Sequence, residues 1–369
     1  MPRILIALTA LLATAACSGS PGALAPCDSQ STDRPICNLT NPEDLGFIPD
    51  RTWIIVSEMS PNQGAAADLP PEPGRLTAIR LLDLESRALY PVPMDDADEA
   101  SVAPGWGDEA CSGPPDSSVF KPHGIDVGEG PGGRSALAVV NHGGREAVEF
   151  FEIVAGRSPS IEWRGCVPMP DGIMINDVAF LPGGGFVVTN FMPSFDGVGP
   201  RAIWSMLKIS MGADTGSVLK WEPGAALTEI ENSQGSAPNG IETSADGTEI
   251  FVAEWGGHSV YRLRIDEEGT PQRDEVAVDH NPDNLSWTRD GQLLVAGQEG
   301  GVMASLGCGS IREAGCDLGY SVYRLGPVGL EATKIVEGRG AASIALEVGD
   351  EIFVGAFVGD QIMRVPRPD

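Results

Sequence analysis

The chain has 369 residues and carries 24 Lys and Arg against 52 Asp and Glu, a formal net charge of −28 at pH 7. That balance argues against a nucleic-acid partner, because neutralising phosphates needs clustered cations. It serves solubility first and would also help draw in a divalent cation. Forty-seven glycines and thirty prolines point to short strands joined by turns, and no stretch reads as a convincing helix.

The N-terminus reads as that of an exported protein. Arg3 supplies a positive flank, residues 4–12 an apolar run too short to span a bilayer, and Ala13-Thr14-Ala15-Ala16 a small-residue cleavage zone. A signal peptide is therefore expected at 1–16. Cys17 resembles the lipidated cysteine of bacterial lipoproteins, although Thr14 stands where Leu is usual. A lipid on Cys17 and ordinary cleavage both stay open, with the periplasm or a membrane-anchored lipoprotein as the expected location. Residues 17–40, rich in Ser, Gly, Pro and Ala, read as a tether. The other cysteines are Cys27, Cys37, Cys111, Cys166, Cys308 and Cys316, an even number that reads as disulfides in an exported chain. Nearest neighbours suggest Cys27–Cys37 and Cys308–Cys316, leaving Cys111–Cys166, although six cysteines allow fifteen connectivities. No C-x-x-C occurs, which argues against zinc.

From residue 41 onward one phrase recurs. Its clearest form starts at Pro238-Asn239-Gly240-Ile241: a short strand meets an Asp246-Gly247 hairpin turn and returns through 249–254. Trp255-Gly256-Gly257-His258 turns again, and strands at 259–265 and 275–278 complete four antiparallel strands, the content of a propeller blade. The same strand–turn–strand phrase runs through 177–189, 284–296 and 343–354, and more loosely through 45–58 and 124–141. The phrase starts, at 44, 124, 177, 239, 284 and 343, lie 45 to 80 residues apart, blade-sized periods with insertions. The expected fold is all-β, a six-bladed β-propeller with a central channel over 41–369. The acidic, Pro-rich stretch 95–118 reads as a loop over one face, with Trp106 in the lid.

Just ahead of each first strand stands a short polar group: Glu43-Asp44, His123, Asn176-Asp177, Asn239, Asp283-Asn284 and the blander Ala342-Ser343. First strands line the channel of a propeller, so these groups ring one mouth of it. A lone Asn or Asp before a strand is more often a turn residue than a ligand. Carboxylates and carboxamides coinciding at one phase instead make an oxygen cage, which suits calcium better than zinc.

Pro42-Glu43-Asp44-Leu45, Pro122-His123-Gly124-Ile125, Val140-Asn141-His142, Asn176-Asp177, Asn239-Gly240 and Asp283-Asn284, in this order, resemble the paraoxonase/arylesterase lactonases. These are six-bladed, calcium-dependent propellers close in architecture to the regucalcin/gluconolactonase family. The resemblance implies a catalytic calcium held by Glu43, Asn176, Asn239, Asp283 and Asn284. A second, structural calcium would be held deeper by Asp44, Asp177 and the Ile125 carbonyl. His123, with His142 behind it, is implied as the proton-transfer pair; in the same geometry Asp283 is the rival base or nucleophile. The implied activity is hydrolysis of a small lactone or aryl ester, the carbonyl polarised by calcium while a histidine activates water. The family usually ties its first blade to its last through a disulfide, but no cysteine follows Cys316, so closure is expected to differ.

Two other readings remain beside this one. A regucalcin-type sugar lactonase would use one divalent metal and share only the single Glu/Asn/Asn/Asp set. A cell-surface scaffold would bind calcium without catalysis. Gly128-Glu129-Gly130-Pro131-Gly132-Gly133 matches a dinucleotide fingerprint but lies between strands and reads as a hairpin turn. Neither G-x-S-x-G nor H-E-x-x-H occurs. His258 reads as a surface residue in a turn, His280 as a weaker candidate for the mouth, and Thr189-Asn190 as support behind the site.

Overall fold

The computed structural model describes residues 21–60, 72–94, 102–154, 156–195, 199–265, 271–312 and 314–368. The expected signal peptide and Cys17 lie outside them, as do residues 95–101 of the expected loop.

Apolar runs such as Trp53-Ile54-Ile55-Val56 and Ala136–Val140 are buried on both faces, as befits strands covered from two sides. They belong to six four-stranded antiparallel sheets. The inner strands are Pro42–Phe47, Pro122–Gly130, Ile173–Phe180, Pro238–Thr243, Asn281–Trp287 and Ala342–Val348. Each touches the next in order, and the last touches the first. The sheets are thus blades of a six-bladed propeller, as the repeated phrase predicts. Six apolar clusters fill the six seams between blades. Period-two alternation assigns each residue its seam: Trp53 and Ile55 face the second blade, while Ile54 and Val56 face the sixth.

Ring closure comes from the segment read as a tether. Ile36–Cys37 pairs antiparallel with the last strand, Gln361–Pro366, and becomes the outer strand of the sixth blade. Ile36 is fully buried against Ile344, Phe353 and Ile362 of that blade and Ile54 of the first. The Asn41 and Cys27 amides donate to the Gly359 carbonyl and to Asp360 at 2.7 Å each. Residues 21–40 therefore pack on the propeller rather than hang from it, and among the described residues hydrogen bonds, not a disulfide, join first and last blades. The three disulfides are Cys27–Cys37, Cys111–Cys166 and Cys308–Cys316, the pairing that nearest neighbours suggest.

Two further expectations change. Helices α1 (Pro200–Ser210) and α2 (Gly301–Cys308) are present; each is an insertion between the second and third strands of its blade, in the third and fifth blades respectively. Pro200 at the first helical turn suits α1, since its missing N–H would be unpaired there anyway, while Gly301, Gly307 and the run of short residues disguise α2. Trp106 is no lid residue either. Its ring is buried with Ala136, Phe150 and Ile175 in the seam between second and third blades, and the Ala103 and Asp108 amides bind the carbonyls of Arg164 and Cys166. Among the described residues no helix is long and apolar enough to cross a membrane.

If Ile36 locks the ring, Ile36→Ala should lower the unfolding free energy by about 2–5 kcal/mol. Val328→Ala, at a side chain 89% exposed, should stay within about 0.5 kcal/mol. Urea unfolding followed by tryptophan fluorescence checks both; equal midpoints would mean that the first strand does not close the propeller.

Candidate active site at the channel mouth

Each inner strand slips register with its neighbour near its start. The slips fall between Pro42 and Asp44, Pro122 and Ile125, Ile175 and Val178, Pro238 and Ile241, Pro282 and Leu285, and Ala342 and Ile344. Four of them begin at a proline, which has no N–H to give a ladder and is tolerated at bulges and strand starts. The slips release from strict alternation the residues singled out in the sequence: Glu43, His123, Asn176-Asp177, Asn239, Asp283-Asn284 and Ser343. Neighbouring blades approach closely here. A Cβ at Gly124 would lie 2.3 Å from Asp177 Oδ1, and one at Gly240 2.3 Å from the Asp283 carbonyl oxygen, so neither position tolerates a side chain.

Four buried oxygens at this level have no hydrogen-bond partner: Glu43 Oε2 and the Oδ1 atoms of Asn176, Asn239 and Asn284. The rest of the set is held firmly. Asn284 Nδ2 donates to Glu43 Oε1 at 2.7 Å. Gln298 Nε2 donates to Asp283 Oδ2 and to the Ala342 carbonyl, while its own oxygen accepts from Trp255 Nε1 at 2.8 Å. Thr189 Oγ1 donates to the Asn239 carbonyl at 2.5 Å and accepts from the Asp177 amide. Unpartnered acceptors in a dry site are costly, and a hard cation is the partner that only oxygens can serve. The residues fit such an ion. Among the described residues no three His, Cys, Asp or Glu side chains group as a metal site; the converging oxygens here are mostly carboxamides.

One residue further on, Asp44 and Asp177 turn the other way. Asp44 accepts the Leu45 amide and, across the seam, the Ile125 amide; Asp177 accepts those of Val178 and Ile241, all at 2.7 to 2.8 Å. Each carboxylate thus serves the amides that the bulges free. With Ile125, Asp126 and Glu242 they line a separate cavity of about 470 Å³ that continues along the inner strands to Phe47 and Leu346, at the far end of the channel from Glu43.

His123 stands at the mouth, its Nε2 3.6 Å from Glu43 Oε1. Its Nδ1 lies 2.8 Å from His142 Nε2. His142 Nδ1 lies 2.9 and 3.0 Å from the two oxygens of Glu146, and Glu146 Oε1 accepts the Ile175 amide at 2.7 Å. Burial, and then the neighbouring His142, hold the His123 pKa well below the imidazole range, so the ring is neutral at pH 7. Apolar walls rise around the oxygens: a cavity of about 480 Å³ is lined by Met59, Met174, Phe191, Met192, Trp255 and Phe357 above Glu43, His123, Asn176, Asn239 and Asp283. It adjoins a second cavity of about 230 Å³, roofed by Met206 of α1 and Val302 and Leu306 of α2. The inner strands begin at the mouth, so the second strands end there, and insertions that follow them overhang the site.

Glu146, Gln298 and Trp255 escape the sequence reading. Gln298 ends the second strand of its blade as Glu58 and Glu254 end theirs, a correspondence that alignment of the blades contains. Glu146 follows His142 by four residues in a turn, with no pattern of its own. His280 does not reach the mouth; it is buried against Ser321 and Tyr323, and burial lowers its pKa to about 4. His258 is exposed in its turn, as expected.

The sequence model of the arylesterase family matches residues 40–305. No curated protein matches the chain. Its fold is similar to that of a gluconolactonase from Xanthomonas campestris (14% identity, 95% of each chain covered, TM-score 0.52). It is also similar to that of a luciferin-regenerating enzyme (11% identity, 89% of this chain and 92% of the other, TM-score 0.51).

Burial raises Asp44 and Asp283 to about 7, and burial with mutual repulsion holds Glu43, Asp177 and Glu242 well above the carboxylate range. In the unfolded chain these groups ionise near 4, so on raising the pH the unfolded state releases protons that the folded state retains, and stability falls through and above pH 7. His123 and His280, depressed, act oppositely but only below about pH 6.5. In chelator, the melting temperature should therefore drop between pH 6.5 and 8. A flat or rising curve would show that burial does not raise these carboxylates.

Proposed function

Since the chain belongs to the arylesterase family, we propose that it is a calcium-dependent hydrolase of lactones and aryl esters working at this channel mouth. The observation that carries the reading is the set of four unpartnered buried oxygens, on Glu43, Asn176, Asn239 and Asn284, beside the His123–His142 pair under apolar walls. With Asp283 they would hold the catalytic calcium. Bound there, the cation would polarise the carbonyl of an ester and favour the charge that develops on its oxygen. Asp44, Asp177 and the Ile125 carbonyl would hold a second, structural ion at the deeper level.

The chain's own residues do the rest. His123 is the general base: it takes a proton from the attacking water at Nε2, and His142 steadies the imidazolium through the 2.8 Å contact at Nδ1. Asp283, fixed by Gln298 and Asn239, belongs to the ligand set rather than to the proton path. Met59, Phe191, Trp255 and Phe357 exclude water and receive the apolar part of the substrate. Those walls favour aliphatic lactones and aryl esters over the polyhydroxylated rings that a sugar lactonase would take, which need hydrogen-bonding walls. Three disulfides support export to an oxidising compartment.

Hydrolysis across a panel of aliphatic lactones, sugar lactones and aryl esters, with and without calcium, tests the proposal. Turnover of the apolar substrates should vanish after exhaustive dialysis against chelator and return with calcium, and two calcium ions should bind per chain. Glu43→Gln should weaken calcium binding by calorimetry more than about a hundredfold, beyond what a supporting residue costs. His123→Gln should cut kcat by about 10²–10⁴-fold with calcium still bound. Full activity in chelator, or no turnover of any ester, would overturn the reading.

A further inference from the structure

The histidine pair is useful only if its protons sit on the right nitrogens, and the two rings alone do not decide that. Each neutral imidazole carries one N–H. Across the 2.8 Å contact between His123 Nδ1 and His142 Nε2, either ring can donate. If His142 donates, His123 carries its proton on Nε2, facing the site, and has no basic nitrogen there. Glu43 does not settle it, since its Oε1 already accepts from Asn284 at 2.7 Å and lies 3.6 Å from His123 Nε2, beyond hydrogen-bond distance.

We propose that Glu146 is the positioning residue that sets both rings. An ionised carboxylate only accepts, and both Glu146 oxygens lie within 3.0 Å of His142 Nδ1, so the His142 proton is on Nδ1. His142 Nε2 must then accept, His123 Nδ1 must donate, and the His123 lone pair is on Nε2, toward the water to be activated. One carboxylate thereby orders two rings in series. Glu146 is itself held by the Ile175 amide at 2.7 Å to Oε1, next to Asn176. The orienting group of the proton path is thus tied to the strand that supplies one of the unpartnered oxygens. The same logic orders an Asp–His pair in serine proteases, where replacing the carboxylate by a carboxamide leaves the geometry intact and the tautomer wrong.

Glu146→Gln isolates the effect. Its single oxygen stays with the Ile175 amide, its NH₂ then faces His142 Nδ1, and the proton sequence runs backwards through both rings. The effect on kcat rests on the hydrolase reading above; the effect on the tautomers does not. With only four histidines in the chain, long-range ¹H–¹⁵N spectra of the calcium-loaded protein near pH 8 resolve each ring, with His258→Asn and His280→Asn as assignment controls. The wild type should show His142 protonated at Nδ1 and Glu146→Gln at Nε2. For a lactone or ester that the wild type turns over, kcat should fall about 10²–10⁴-fold, with KM within about twofold and the melting temperature unchanged. Glu146→Asp should regain the Nδ1 tautomer and part of kcat. Unchanged ring spectra in Glu146→Gln would overturn the proposal, as would a reversed tautomer with full kcat. A wild type that hydrolyses nothing would overturn the hydrolase reading instead and leave the spectra to judge Glu146.

Discussion

An inner propeller strand with unbroken pairing sends its side chains alternately into the two seams beside it and none toward the channel. The bulge at the start of all six inner strands lifts that constraint at one level, and the site depends on it. Freeing a residue from the ladder also frees its amide, which must find another acceptor in the dry centre of the ring. The paired acids answer both needs. Glu43 and Asn176 face the mouth, while Asp44 and Asp177, one residue on, turn back to bind amides of their own blade and of the next. The doubled motif is therefore a stitch between blades, whatever else it holds.

Electrostatics then limits what the mouth can hold. Burial lifts Glu43, Asp44, Asp177 and Asp283, and neighbouring acids add to it; further acids there would add to the same cost. Asn176, Asn239 and Asn284 supply oxygens without charge. Asn284 goes further, because its NH₂ fixes Glu43 while its oxygen stays unpartnered. A carboxamide in such a ring is orienting group and acceptor at once, which a carboxylate cannot be.

The histidine pair obeys a different geometry. His123 comes from a bulge, but His142 and Glu146 come from the connection after a second strand, the same topological position from which α1 and α2 overhang the pocket. The histidine pair, Glu146 and the apolar roof thus sit above the oxygens, and all but His123 lie on segments free to vary without disturbing the blades.

The residue pattern alone determined the number of blades, the strands that line the channel and the residues that stand at its mouth, because all three follow from short-range periodicity: alternation, hairpin turns and a proline or polar step before each inner strand. Adjacent cysteines likewise found their partners by proximity along the chain, leaving the third pair. Tertiary structure decided what depends on closing the ring. Glu43 meets Asn284 across 241 residues, and the carbonyl of Glu43 meets Ser343 across 300, so which oxygens remain unpartnered is set only when first and last blades join. That junction runs through Ile36–Cys37, in a stretch whose Ser, Gly and Pro content reads as a tether because a two-residue strand is too short to show a period. Trp106 and Glu146 were settled the same way. One is placed by a seam it shares with residues of two blades, the other by a histidine and an amide on different blades, and neither contact leaves a trace in local composition.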